Sequence, residues 1–310
     1  MFGNEFLQLY GTEMKRLIPI IFVLLWSTGF IGAKYGLPYI STGDFLSIRM
    51  IATILVFLLL IAFTQQEKLT PSQILHASIT GILIHGAYLG GVFLAIDFGL
   101  PAALTAIIVG LQPLFTALLA VLVLKEQINK IQWIALLVGL LGLYLVVSGS
   151  ISHVQFTSST LAYAFIALFG ITLGTVYQKR YCQGQPLLSS ACWQYCASLC
   201  VFIPIMWLEP HTPIVWHIEL ILSLLWLVFG LSVAAILLLL YMINQGDAAK
   251  VTSYFYLVPP VTAVEAWLLF DETLSLTTLI GMVLCVTSVF AVMSAQQWHQ
   301  RKLVQSLQNK

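Results

Sequence analysis

Four ionisable side chains interrupt long apolar runs in this sequence: Lys34, Arg49, His85 and Glu265. Placing such a group near the middle of a bilayer costs on the order of 2.5–3.5 kcal/mol on insertion scales, so each one needs a reason to be there. Glu265 has two readings, a carboxylate that titrates or takes up a cationic group, and a structural salt-bridge partner of Lys34 or Arg49. Lys34 either attracts a carboxylate or reaches from near a helix end to the interface. Arg49 presents a planar fork to an anionic group, or ties two helices together. His85, with an ordinary pKa near 6.5, relays protons or closes an interhelical hydrogen bond.

Neutral groups able to orient a small molecule accompany them. Tyr88 falls three residues after His85 on the same helical face, where it stacks a ring, donates a hydrogen bond or packs. Gln112 precedes Pro113, whose missing N–H frees a carbonyl one turn earlier and opens the helix. Trp26 caps an aromatic cargo or fills a helix interface. Gln178, Gln194, Tyr254 and Tyr256 are weaker candidates, with packing or an interfacial position as the competing reading. Cys192, Cys196 and Cys200 recur on one helical face, as small packing residues or as a thiolate stripe for a metal. The spaced glycines Gly86 and Gly90, Gly139 and Gly142, and Gly170 and Gly174 suit close helix packing. No phosphate-cradling glycine loop, HExxH, paired-cysteine zinc pattern or Gly-x-Ser-x-Gly elbow occurs, so the sequence implies no nucleotide-driven step, no cofactor and no metal.

The elements that must position these groups are membrane helices. Of 310 residues, 60% are hydrophobic and 8% charged, with a mean hydropathy of +0.97, whereas a soluble domain is roughly one-quarter charged. A net charge of +1 gives no electrostatic case for nucleic acid. About 20 apolar residues cross roughly 30 Å of hydrocarbon. Spans are expected at 17–37, 44–64, 73–95, 99–124, 131–149, 159–178, 187–208, 219–243, 248–270 and 277–296. The fold class is therefore all-α integral membrane with ten transmembrane helices, because an open sheet leaves its backbone unsatisfied in lipid. Lys15 and Arg16 before an apolar stretch suit a secretory signal, but the stretch lacks a clear small-residue cleavage site and reads as the first span. With the N-terminus inside, Lys15, Arg16, Lys68, Lys125, Lys130, Lys179, Arg180, Lys250, Arg301, Lys302 and Lys310 all fall on the cytoplasmic side. Asp97, His153, Glu209, His211, Asp271 and Glu272 mark the outer loops, and both termini are cytoplasmic.

A shift of 146 residues aligns Ala102, Ala103, Leu111, Pro113, Thr116, Ala117, Ala120, Leu122 and Glu126 with Ala248, Ala249, Leu257, Pro259, Thr262, Ala263, Ala266, Leu268 and Glu272. The chain divides accordingly into a tail at 1–16, one repeat at 17–150, a second at 151–297 and a tail at 298–310. Five helices per repeat, an odd number, turn the second copy upside down. The loop from Lys125 to Lys130 is basic while its counterpart from Asp271 to Leu276 has no Lys or Arg, as opposite sides of a membrane require. Inverted repeats of this kind typify secondary transporters, whose site lies at the repeat interface near the midplane.

The first-helix segment from Trp26 to Lys34, the run Phe45-Leu46-Ser47-Ile48-Arg49 and the segment from Pro113 to Glu126 resemble the bacterial EamA-type transporters of the drug/metabolite transporter superfamily. The likeness spans about 17–296; in the second copy Phe169 stands in the place of Trp26 and Tyr177 in that of Lys34. The resemblance implies ten helices, a multi-pass position in the bacterial inner membrane, cytoplasmic termini and a central cavity lined by both halves. Members move amino acids, nucleobases, cofactors and drugs. The expected function is a secondary transporter, an exporter or exchanger of small polar metabolites such as amino acids, and not an enzyme. Its partners are the lipid bilayer, a small-molecule substrate and a coupling proton, in a monomer or homodimer. Lys34 or Arg49 holds the anionic group of the cargo and Glu265 a cationic one, with His85, Tyr88 and Gln112 setting its orientation. Two other classes stay open: a membrane-embedded enzyme on lipid-linked substrates, which needs clustered acids or histidines at the surface, and an accessory subunit, which needs no polar groups inside its helices.

Overall fold

The structure, a computed structural model, describes residues 17–29, 32, 35–64, 66–100, 102–148, 158–209, 212–270 and 274–308, without the side chains of 102–104, 266, 269–270 and 296–308. Lys34, His153, His211, Asp271, Glu272 and the tail at 1–16 lie outside the described residues.

All regular structure among the described residues is helical. A shorter apolar helix, α1 (Leu17–Gly29), comes first. It is followed by α2 (Thr42–Thr64), α3 (Pro71–Asp97) and α4, which has two pieces, Ala102–Val109 and Gln112–Leu119, and a π turn at Ala120–Leu124. Then come α5 (Lys130–Ser148), α6 (Ser158–Tyr181), α7 (Leu187–Leu208) and α8 (Ile218–Gln245). Helix α9 has three pieces, Ala248–Ser253, a 3-10 turn at Tyr254–Leu257, and Val258–Phe270; α10 is Leu276–Gln308. Eight stretches within these, from α2 to α8 and the first 20 residues of α10, are long and apolar enough to cross a membrane. The multi-pass membrane class thus stands, and α10 runs on as a helix beyond its apolar stretch, which ends at Ala295, as far as Gln308. Polar residues such as Gln296, Gln297 and His299 end the apolar run but are tolerated in a helix, so they mark an exit from lipid and not a helix terminus.

Prolines break two of these rods. Pro113 cannot donate a backbone hydrogen bond, and α4 turns at Gly110 and Leu111; Pro259 and Pro260 follow the 3-10 turn of α9. Helices α3 and α8 each contain a π stretch, Ile82–Leu89 and Leu227–Ala235. The wider winding re-aims the side chains it carries, and His85 and Ser232 are among them.

Cross-links group the loops on two faces. On one, Ser189 donates to the Glu67 carbonyl at 3.1 Å, Asn129 to the Ala295 carbonyl at 3.4 Å, and the Ala248 N–H to Glu126 at 2.8 Å. Lys68, Lys125, Lys130, Lys179, Arg180 and Lys250 lie at this basic face. On the other, the Gly43 N–H donates to Glu209 at 2.7 Å and Tyr39 to Glu219 at 2.7 Å. Helices α5 and α10 cross so closely that a Cβ on Gly142 would lie 2.8 Å from Gly281 O and Cys285 N.

Glu126 is a cap supplied through space. Its carboxylate accepts from the backbone N–H of Ala248 and, at 3.4 Å, of Ala249, satisfying donors that the start of α9 cannot pair internally. Burial pushes its pKa above the usual carboxylate range, and the Ala248 N–H opposes that shift. We expect Glu126→Ala to lower stability by about 1 kcal/mol, the usual cost of a lost cap, in thermal unfolding of the detergent-solubilised protein. An unchanged midpoint would show that water replaces the carboxylate without loss.

Candidate functional site

A small cavity of about 50 Å³ lies where the breaks in α4 and α9 face each other. Helices α1, α3, α4, α5 and α9 contribute to it, and its distinctive lining is Trp26, Tyr88, Thr105, Gln112, Phe255 and Pro259. The Gly110–Leu111 turn of α4 puts Gln112 at the wall, and the 3-10 turn of α9 puts Phe255 opposite. Trp26 anchors an aromatic cluster: Phe22 is 5.1 Å away, Phe255 stands edge-on at 5.2 Å and Tyr88 lies parallel at 6.3 Å. Gln112 supplies the polar handle, because its Nε2 is buried and meets no hydrogen-bond partner among the described residues. Apolar and aromatic walls with one unclaimed amide are the usual make-up of a small-molecule site.

Glu265 stands one to two turns beyond Pro259 on α9. Its Oε1 accepts from Ser27 at 2.7 Å, while its Oε2 is buried with no partner among the described residues. Ser27 follows Trp26, and Thr262 donates to the Ser27 carbonyl at 3.3 Å, so α1 and α9 are joined directly beside the aromatic cluster. Arg49 is elsewhere: it is 4% exposed and donates from Nε to Ser232 Oγ at 2.9 Å. A Glu265–Arg49 salt bridge, one of the two readings of the carboxylate, is not formed.

His85 belongs to the Arg49 group. Its ring stacks on Tyr195 at 4.2 Å, and Tyr195 donates to the Ser232 carbonyl at 3.0 Å. Gln178 and Gln194 form a ladder between α6 and α7. Gln194 Nε2 donates to Gln178 Oε1 at 3.1 Å and to Ser190 Oγ at 3.4 Å, and Ser190 donates to Gln185 at 3.0 Å. Tyr254 and Tyr256 are buried, yet neither lines the cavity. The Tyr256 ring covers Gly139, packing α9 on α5. Cys192 is buried, Cys196 half-buried and Cys200 exposed, so that face passes from the interior into lipid.

The residues missed from sequence are Phe255, Tyr195 and Ser232. A regular helix through Tyr254-Phe255-Tyr256 gave no reason to prefer Phe255; the following proline pair was the available signal of a turn. Ser232 is an ordinary helix residue, and only the need of Arg49 for an acceptor pointed to something like it.

The chain has counterparts among known proteins. A sequence profile of the EamA-like transporter family matches residues 17–148 and again 158–294. YvbV of Bacillus subtilis, an uncharacterized transporter, is 27% identical over 92% of this chain and 93% of its own length. A Salmonella typhimurium protein named "Probable amino-acid metabolite efflux pump" is 24% identical over 88% of this chain and 92% of its own. One crystal structure superposes with a TM-score of 0.73 at 18% identity, covering 91% of this chain and 97% of that one, and so shares the fold.

Proposed function

This chain belongs to the EamA-like transporter family, and from that premise we propose that it is a secondary carrier of ten membrane helices in two inverted repeats, exporting or exchanging amino-acid-like metabolites. It is a transporter of small molecules and not an enzyme. Both termini face the cytoplasm of a bacterial inner-membrane protein, with the basic face inside.

Support for the inverted repeat comes from α5 and α10. Cys285 Sγ donates to the Gly139 carbonyl at 3.7 Å, and these positions are 146 apart, the repeat offset. Ser288 donates to the Ala135 carbonyl at 2.6 Å, while Gly142 abuts Gly281; adding the offset to 135 and 142 turns the first pair into the second. Such exchange of equivalents is what a two-fold axis produces. The breaks in α4 and α9 and the π stretches of α3 and α8 recur at nearly the same offset.

The observation that carries the carrier reading is the cavity itself, walled by α1, α3, α4 and α5 of one repeat and α9 of the other, at the helix breaks. The aromatic cluster receives an apolar side chain, Gln112 bonds a polar head group, and Glu265 receives an amine. Alternating access then requires the Glu126–Ala248 link beneath the cavity to part. The test is counterflow into vesicles preloaded with leucine or phenylalanine. Gln112→Leu should raise the half-saturating concentration about 3- to 10-fold, the worth of one neutral hydrogen bond. A wild type that gives no counterflow of any amino acid or amino-acid derivative sinks the proposed cargo.

A further inference from the structure

We propose that Arg49 is the carboxylate subsite of the cargo path, a statement that rests on the carrier reading and deepens it by naming the anionic group of the substrate. Arg49 is buried inside α2, and the one hydrogen bond of its side chain among the described residues runs to Ser232. Among the described residues no carboxylate is paired with it; its electrostatic neighbours are the phenols of Tyr88 and Tyr195 and the imidazole of His85. Ser232 fixes this arrangement twice, since its hydroxyl accepts from Arg49 and its carbonyl accepts from Tyr195. His85 lies flat on Tyr195, and its buried Nε2 meets no partner among the described residues.

A guanidinium held at one nitrogen, with no partner for its terminal pair among the described residues, can take an anion in a medium where an uncompensated charge is expensive. The charge of the fork selects the anion. Arg49 brings one positive charge, and a carboxylate matches both that charge and the planar fork; a phosphate dianion matches the fork but brings a second negative charge that Arg49 alone leaves unbalanced. Tyr88 links the two groups, because it lines the cavity and stands three residues after His85 on the same π stretch of α3. A ligand whose body rests against Trp26 and Phe255 reaches Arg49 past the edge of that ring.

Two probes of one shape separate charge from fit: 3-phenylpropionate and 3-phenylpropionamide, titrated into purified protein with tryptophan fluorescence as the readout. Wild type should bind the anion about 10- to 100-fold more tightly than the amide, the range of one charge-assisted pair. Arg49→Gln should abolish that preference, and Arg49→Lys, which lacks the fork, should keep only part of it. Ser232→Ala removes the clamp and keeps the charge; it should reduce the preference several-fold and remains informative should the Arg49 variants fail to fold. Equal affinity for the two probes, no binding of either, or a preference that survives Arg49→Gln overturns the subsite. Chloride displacing the anion at matched concentration overturns carboxylate as its class. Amino-acid counterflow by wild type keeps each of these results distinct from a failure of the carrier reading.

Discussion

Glu265→Gln is expected to cut counterflow by about 10- to 100-fold, the span of 1.5–3 kcal/mol for a hydrogen bond to a charged group. The carboxylate has one oxygen tied to Ser27 and the other buried without a partner among the described residues. Glutamine keeps the shape and can still accept from Ser27, so the variant removes the negative charge and leaves the α1–α9 joint in place. On the proposed repeat the fold does not itself require an acid there, because the position 146 residues earlier is Leu119. Arg49 is bonded to Ser232 and is not the counter-ion. Lys34, the other partner considered from sequence, is tested by Lys34→Met in the Glu265→Gln background. If Glu265 served only to neutralise Lys34, the double variant would recover wild-type flux, and that recovery would remove Glu265 from the cargo path.

Helix positions were legible from hydropathy because lipid imposes a simple rule, an apolar run of fixed length, and the runs from 44–64 to 219–243 recur as helices within a few residues. The broken rods were harder. Pro113 announced an opening beside Gln112, and the cavity is there. The Tyr254–Leu257 turn was not announced with the same clarity: hydropathy averages over the segment, and an aromatic triplet looks alike in either winding. Tyr254 and Tyr256 were therefore singled out while Phe255 was not, because polarity was taken as the mark of a site residue. Within this cavity, shape decides, and an apolar ring on the correct side of a 3-10 turn outranks two hydroxyls on the wrong side. Arg49 and Glu265 were recognisable as costly residues, but their partners depend on rotations of α2, α8 and α9 that the π and 3-10 turns alter. The salt-bridge reading of Glu265 pairs them; in the structure Arg49 is bonded to Ser232 and Glu265 to Ser27.

Gly81→Ala should destabilise the protein, against the ordinary rule that replacing glycine by alanine inside a helix gains up to about 1 kcal/mol. Gly81 ends the regular part of α3, where α7 crosses it. A Cβ there would stand 2.5 Å from Gln194 Cα and 2.6 Å from its carbonyl carbon, and closer still to its oxygen. Backbone atoms inside a packed helix cannot turn aside as a side chain can, so α7 must move as a body. Overpacking of this kind costs typically 1–3 kcal/mol, which outweighs the propensity gain. The displacement also reaches the site: Gln194 is followed by Tyr195, on which His85 stacks, and His85 lies four residues after Gly81. Gly230→Ala is the matched control. The atoms nearest its Cβ would be those of the Trp226 side chain, at 3.3–3.5 Å; that ring is half-exposed and can shift by the few tenths of an ångström required, so the propensity gain should survive. Thermal unfolding in detergent should therefore move in opposite directions for the two variants. A rise for Gly81→Ala would mean that α3 and α7 cross more loosely than their backbones show, and that the aromatic stack on His85 is not held in place by that contact.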